Sequence, residues 1–133
     1  LRLDSRLHKH GDYQRVYKAS RKQFSASMSW FLASRADSQS IAPGPGPRVG
    51  LTVGKVLGKA HERNLIKRRL REVVRGAIHE LPDGVDLILH PKRMVMTMEF
   101  AKLEGEVLRI FRQAAGQVRL ARSKPPGQVR PIA

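Results

Sequence analysis

A chain of 133 residues makes one domain around one core, and 26 Lys and Arg against 11 Asp and Glu, a net charge of +15, suit a polyanion and exclude a basic partner. The absence of cysteine rules out disulfide frameworks, thiolate zinc sites and cysteine nucleophiles, and it fits a reducing compartment, so the cytoplasm is the expected location. With 41% hydrophobic residues the chain has an interior to build, yet no apolar run approaches the roughly 18 residues of a membrane helix.

Gly11–Ala19 predicts a short helix, because Tyr13, Val16 and Tyr17 share one face at i, i+3, i+4 and Asp12 suits its first turn. Met28–Ser34 predicts a strand with Trp30 and Phe31 on opposite faces. Arg48–Gly54 predicts another, in which Val49, Leu51 and Val53 alternate with Gly50, Thr52 and Gly54. Between them, 38–47 contains Pro43-Gly-Pro-Gly-Pro47 and is expected to be a surface loop. Gly58–Ile78 is the strongest helix: Ile66, Leu70, Val73, Val74 and Ala77 form one apolar face, Gly58 marks the approach, and Pro82-Asp83-Gly84 the exit. Val85–His90 reads as a short strand buried on both faces and ended by Pro91. A last helix is expected from Thr97, as N-cap, to Ala115, with Phe100, Leu103, Val107, Leu108, Ile110 and Phe111 facing inward. Residues 1–116 are thus expected to form a single domain. Residues 117–133, with Pro125-Pro126-Gly127 and four cations, are expected to form a disordered basic tail.

The charge is gathered. Residues 1–24 carry +5, residues 55–75 carry +6 and residues 117–133 carry +4, while the two remaining segments cancel. On a helix each residue turns by about 100°, so Arg63, Lys67, Arg71 and Arg75 fall about 40° apart, with Ala60, Asn64 and Arg68 interleaved. Five cations and an amide therefore share one face, and the apolar residues take the other. Like charges four apart repel by a few tenths of a kcal/mol per pair. Glu62 and Glu72 relieve only part of this, and a bound anion would relieve the rest. A merely solvated face is the plain alternative, but such a face mixes signs, whereas Lys55–Arg75 is eight to two. Phosphate backbones match this density of Arg and Lys. A lipid surface fits worse, because the apolar face has a core to fill and lacks a Trp or Phe anchor. Tyr13, Tyr17, Trp30 and Phe31 line one groove if the first helix packs beside the first strand. There, stacking on unpaired bases competes with core packing, which is the expected role of Trp30.

At Arg48-Val-Gly-Leu-Thr-Val-Gly-Lys55, Gly58-Lys-Ala60, Arg63-Asn64 and Ile66-Lys-Arg-Arg-Leu-Arg-Glu72 the chain resembles the signature block of the bacterial ribonuclease P protein component. A weaker likeness runs over 1–116, including Leu7, Asp12-Tyr13, Val16-Tyr17 and Asp86–Pro91. The chain departs from the family's usual pattern at Gly54-Lys55-Val56 (Ser-Lys-Lys), Tyr13 (Phe) and His90 (Arg). The resemblance implies an α+β fold: a two-layer α/β sandwich of order α-β-β-β-α-β-α with a left-handed βαβ crossover, like the second domain of ribosomal protein S5. It implies a protein subunit of ribonuclease P, working with a catalytic RNA that removes the 5′ leader of precursor tRNA using Mg²⁺ held mainly by that RNA. On this likeness Lys55, Lys59, Arg63, Asn64, Lys67, Arg68 and Arg71 contact the catalytic RNA. Tyr13, Tyr17, Phe31 and Arg48 line the cleft for the single-stranded leader. No protein side chain is expected to be catalytic or to ligate metal. The implied partners are ribonuclease P RNA and precursor tRNA, with no membrane and no small-molecule substrate.

Three rivals explain less. An autonomous metal-dependent nuclease needs carboxylates converging on Mg²⁺. Here the acids are scattered, and His61-Glu62 opens a zinc-protease motif only to present Leu65 where the second His belongs. A ribosomal or general RNA-binding chaperone shares the charge and size, but has no reason to run a strand into an Arg-Asn helix. A DNA-binding helix-turn-helix fits worst, since the helices alternate with strands.

Overall fold

The computed structural model describes residues 6–7, 9–35 and 46–122. Residues 123–133 of the expected tail and all of the Pro-Gly loop except Gly46 and Pro47 lie outside these. In chain order the elements are α1 (His10–Ala19), β1 (Gln23–Phe24), β2 (Met28–Ser34), β3 (Arg48–Leu51), α2 (Ala60–Ala77), β4 (Val85–Pro91) and α3 (Phe100–Arg122). The strands form one sheet in the order β1-β2-β4-β3. β2 runs antiparallel to both β1 and β4, and β3 runs parallel to β4 across the α2 connection. On the outer side of β3, Leu7 N–H donates to the Val49 carbonyl at 3.0 Å, so the N-terminal segment covers that edge.

Register sorts the side chains. Phe31 sits opposite Ile88, Ala33 opposite Asp86, and Gly50 beside Ile88. Because strand side chains alternate, Ser29, Phe31, Ala33, Arg48, Gly50, Asp86, Ile88 and His90 share one face, while Met28, Trp30, Val49, Leu51, Leu87 and Leu89 share the other. α2 and α3 cover that second face and complete the sandwich. Ile66, Leu70, Val73, Val74 and Ala77 join Leu103, Val107, Ile110, Phe111 and Ala114 there in the main core. Each fully buried Leu, Ile or Val contributes about 1.5–3 kcal/mol. Trp30, 1% exposed, belongs to this core. α1 lies on the first face, where Leu7, Val16, Ala33 and Ile88 form a smaller cluster flanked by Tyr13, Tyr17 and Phe31. With helices on both sides, Val85 to Leu89 are all buried, as the apolar run predicts.

Several boundaries differ from the sequence expectation: the strand expected over Arg48–Gly54 ends at Leu51, the helix expected over Gly58–Ile78 runs Ala60–Ala77, and the largest differences are at the two ends of α3. Thr97 is not the N-cap of α3. It closes the 3-10 turn Arg93–Met96, its N–H bonding to the Met94 carbonyl, and the Glu99 carbonyl accepts the first helical bonds from Lys102 and Leu103. Nor does order fail at Gly116. α3 runs to Arg122 because Val118 is buried and Gln117 exchanges two amide hydrogen bonds with Gln23 of β1, at 2.7 and 3.0 Å. A second, unforeseen tie joins α3 to the β1–β2 turn. The buried Glu106 carboxylate accepts bonds from Ser25 Oγ, Ser27 Oγ and Ser27 N–H at 2.6, 2.6 and 2.8 Å.

Candidate nucleic-acid interface

A glycine and a carboxylate start α2. Gly58 has φ 135°, a region open essentially to glycine alone, and a Cβ there would lie 2.6 Å from Glu62 Oε1 and against Arg93. Glu62 accepts the Lys59 N–H at 2.9 Å and Arg93 Nη2 at 2.6 Å, while Arg93 Nη1 reaches the Leu57 carbonyl at 2.8 Å. This satisfies an orphan donor and favours the positive end of the helix dipole. The Arg93 bond, first, and the Lys59 N–H hold the Glu62 pKa down to about 2 from 4.5. A depressed carboxylate stabilises the fold above its unfolded pKa, and the contribution is lost as pH falls from about 4.5 through 2. An NMR titration of Glu62 is therefore expected to show a midpoint near 2, returning towards 4.5 in Arg93→Ala. A wild-type midpoint near 4.5 would disprove the cap.

Beyond this start, α2 turns its apolar residues inward and its cations out. Lys55, Lys59, Asn64, Arg68 and Arg71 are exposed, and Arg63 and Lys67 are half-buried. Arg63 Nε donates to the Gly58 carbonyl at 3.1 Å, so its stem is braced along the helix start. Among the described residues, Lys55, Lys59, Lys67, Arg68 and Arg71 enter no salt bridge, whereas Arg75 is 3.2 Å from Glu72. Arg69 lies off the row and bonds the Met98 carbonyl, pinning the approach to α3.

Across the sheet, the face under α1 carries an aromatic patch. The Tyr17 ring meets Phe31 edge-on at 4.8 Å between centroids, and Phe31 lies 5.2 Å from His90. Tyr17 Oη is 2.8 Å from His90 Nε2 and 3.0 Å from Thr52 Oγ1. Burial, helped by the Lys22 charge, pushes the His90 pKa down, so the imidazole is neutral at pH 7. Tyr13 takes a different place. Its hydroxyl reaches the carbonyls of Leu7 and Leu51 at 3.0 and 3.3 Å, burial raises its pKa, and its ring rests on Gly50, where a Cβ would lie 2.7 Å from Cζ. It braces α1 to β3.

Arg48 is also held. Its Nε and Nη2 bond both Asp86 oxygens at 2.9 and 2.8 Å, Asp12 lies 3.4 Å away, and the Asp86 bond leads in raising its pKa. Asp86, fully buried, also receives Arg15 and Arg35, so one carboxylate gathers three guanidinium groups from α1, the end of β2 and β3. The Arg48 and Arg15 side chains remain 21% and 16% exposed. At the β3 edge the row borders a groove of about 430 Å³ lined by Arg6, His10, Tyr13, Leu51, Lys67 and Arg71, among others; Tyr17, Phe31 and His90 lie outside it, and the patch touches the chain just after β3 through the Tyr17–Thr52 contact.

Sequence reasoning missed Thr52, Arg15, Arg35 and the role of His90. Alternation does put Thr52 and His90 on the Phe31 face, but only once register is known. Among the described residues no three His, Asp or Glu side chains converge as a metal site. Asp86, Glu62 and Glu106 are already engaged by arginine or by serine and backbone donors. These carboxylates do not offer Mg²⁺ a cage.

The ribonuclease P family model matches residues 1–115. The ribonuclease P protein component of Finegoldia magna is 31% identical over 112 residues, covering 84% of this chain and 92% of the relative. That of Chloroflexus aggregans is 32% identical over 117 residues, covering 86% and 80%. Among solved structures, the RNase P protein of Staphylococcus aureus superposes with a TM-score of 0.67 at 23% identity, over 83% of this chain and 94% of that one. The protein from Thermotoga maritima gives 0.68 at 20% identity, over 81% and 96%. These two likenesses establish the fold, and the family match establishes more. The chain belongs to the ribonuclease P protein family, the protein component of the endoribonuclease that matures the 5′ ends of tRNA.

Proposed function

We propose that the cation row Lys55, Lys59, Arg63, Lys67, Arg68 and Arg71, with Asn64, docks on the ribonuclease P RNA, and that the patch of Tyr17, Phe31 and His90 takes the unpaired 5′ leader of precursor tRNA. The observation that carries this reading is the presence of two chemically different surfaces on the two sides of one sheet: a row of cations on α2 largely without acid partners, and a half-open aromatic face under α1. A folded RNA presents phosphates to the first, and a single strand presents base faces to the second. Arg48 and Arg15, fixed by Asp86, would offer their outer N–H groups to leader phosphates, while Tyr13 keeps α1 at the distance a base requires. Mg²⁺, when bound, would stabilise the charge that develops as the phosphodiester bond is cut. Its oxygen ligands are assigned to the RNA, since the protein's buried carboxylates are taken. No helix among the described residues is long and apolar enough to cross a membrane, and the cytoplasm is the assigned setting. Family membership displaces the reading as a general RNA-binding chaperone.

Reconstitution tests the assignment. Added to a bacterial catalytic RNA at low Mg²⁺, the protein is expected to restore precursor cleavage, while the polypeptide alone cuts nothing. In the same assay Tyr17→Ala should weaken binding of leader-bearing precursor by about 1–3 kcal/mol and leave mature tRNA unaffected. Equal loss for both RNAs would remove Tyr17 from leader contact.

A further inference from the structure

Phe24 is 75% exposed on β1, an unusual place for a phenyl ring that nothing in the core requires. Its position is defined by register. Phe24 pairs with Ser29, and Ser29 pairs with His90, so Phe24 projects from the same face as Phe31 and His90, two strand spacings, about 10 Å, from the His90 backbone. Its surroundings are cationic. The Lys22 ammonium lies 5.8 Å from the ring centroid, the same charge bears on His90, and Arg21 and Lys92 are exposed at either end of β1. Lys92 follows Pro91 and bonds the Ser27 carbonyl through its N–H at 2.8 Å, which sets it at the β1–β2 turn.

We infer that Phe24, with Lys22, forms a second stacking platform that continues the aromatic patch across β2 to the outer edge of the sheet and binds a leader nucleotide further from the cleavage point than those held by Tyr17 and Phe31. This rests on the leader assignment proposed above and extends it. Single-stranded RNA is the occupant the surface suits. A flat aromatic face accepts any base, and a flanking ammonium neutralises the adjoining phosphate. A protein partner would find only one large apolar side chain among cations. The arrangement makes affinity depend on leader length: a short leader fills the inner patch, and only a longer one reaches β1.

The test compares precursor tRNAs carrying leaders of graded length, bound to the reconstituted holoenzyme. Phe24→Ala should weaken binding of long-leader precursors by about 5- to 150-fold and leave the shortest-leader precursor and mature tRNA unchanged, with Phe24→Trp restoring affinity. Because the ring is exposed on a two-residue edge strand, both variants should melt as the parent does. Loss with long leaders while Tyr17→Ala weakens all leader-bearing RNAs supports the platform. No loss in Phe24→Ala while Tyr17→Ala still acts overturns it and leaves the inner cleft standing. No effect of either variant removes both. Equal loss for every RNA, mature tRNA included, also overturns it.

Discussion

Replacing Asp86 by Asn is expected to destabilise the fold by about 3–5 kcal/mol, lowering the melting temperature by roughly 10–20 °C. The carboxylate is fully buried and neutralises Arg35, itself 1% exposed, together with Arg15 and Arg48. An amide keeps the shape but not the charge, so Arg35 would be left in the interior without its carboxylate. Replacement of a single member of a buried ionic cluster is costly for that reason, whatever the net worth of the intact cluster. Asp83→Asn is the control. Asp83 is exposed at the turn before β4, and its substitution should stay within about 0.5 kcal/mol. Urea denaturation of both variants decides the matter, and a loss below about 1 kcal/mol in Asp86→Asn would show that the three arginines are satisfied elsewhere. The cluster also couples fold to site, because the groups that fix Arg15 and Arg48 beside the cleft are those that tie α1, β2, β3 and β4 together.

Asp86 also shows where sequence reading stops. An acid inside the run Val85–Leu89 signals a buried partner, but the three that answer come from positions 15, 35 and 48, and no local pattern links them. The face of α2 was legible because it obeys a local rule. Ile66, Leu70, Val73, Val74 and Ala77 are all buried, and Lys55, Lys59, Asn64, Arg68 and Arg71 are exposed. Arg69, which the same 100° rule leaves off the row, has a partner that no local pattern shows, the Met98 carbonyl. The end of α3 was misjudged because Gly116 resembles a stop. A glycine inside a helix costs only about 1 kcal/mol, and burial of Val118, which continues the spacing of Val107, Ile110, Phe111 and Ala114, outweighs that. The two residues of β1 have no pattern of their own and exist through pairing with Ser29 and Trp30. Tyr13 was grouped with Tyr17 by helical spacing. Only the tertiary structure reveals that Gly50 and two backbone carbonyls receive its ring and hydroxyl.

The second large effect concerns the cation row. Eight cations lie on or just before α2; Arg69 is turned to the Met98 carbonyl, and the other seven are Lys55, Lys59, Arg63, Lys67, Arg68, Arg71 and Arg75, the last shared with Glu72. With about 6–10 phosphates neutralised in all, affinity for ribonuclease P RNA is expected to fall by about 10³ to 10⁵ between 50 and 200 mM salt. Arg68 and Arg71 are the cleanest pair to remove, being exposed and without salt bridges among the described residues. Arg63 is braced against Gly58 and would confound folding with binding. Arg68→Ala with Arg71→Ala should leave the melting temperature within a few degrees of the parent, while weakening the RNA complex whatever the precursor's leader. That separates the row from the aromatic cleft, where loss should depend on the leader.

The most direct measurement is the slope of log affinity against log salt for ribonuclease P RNA, taken for the parent and for the Arg68→Ala, Arg71→Ala double variant. A steep negative slope that becomes shallower by about 2 in the variant is expected, because each arginine that neutralises a phosphate releases about one counterion. A flat parental slope, or a slope identical in the two proteins, would mean that RNA does not engage this face of α2.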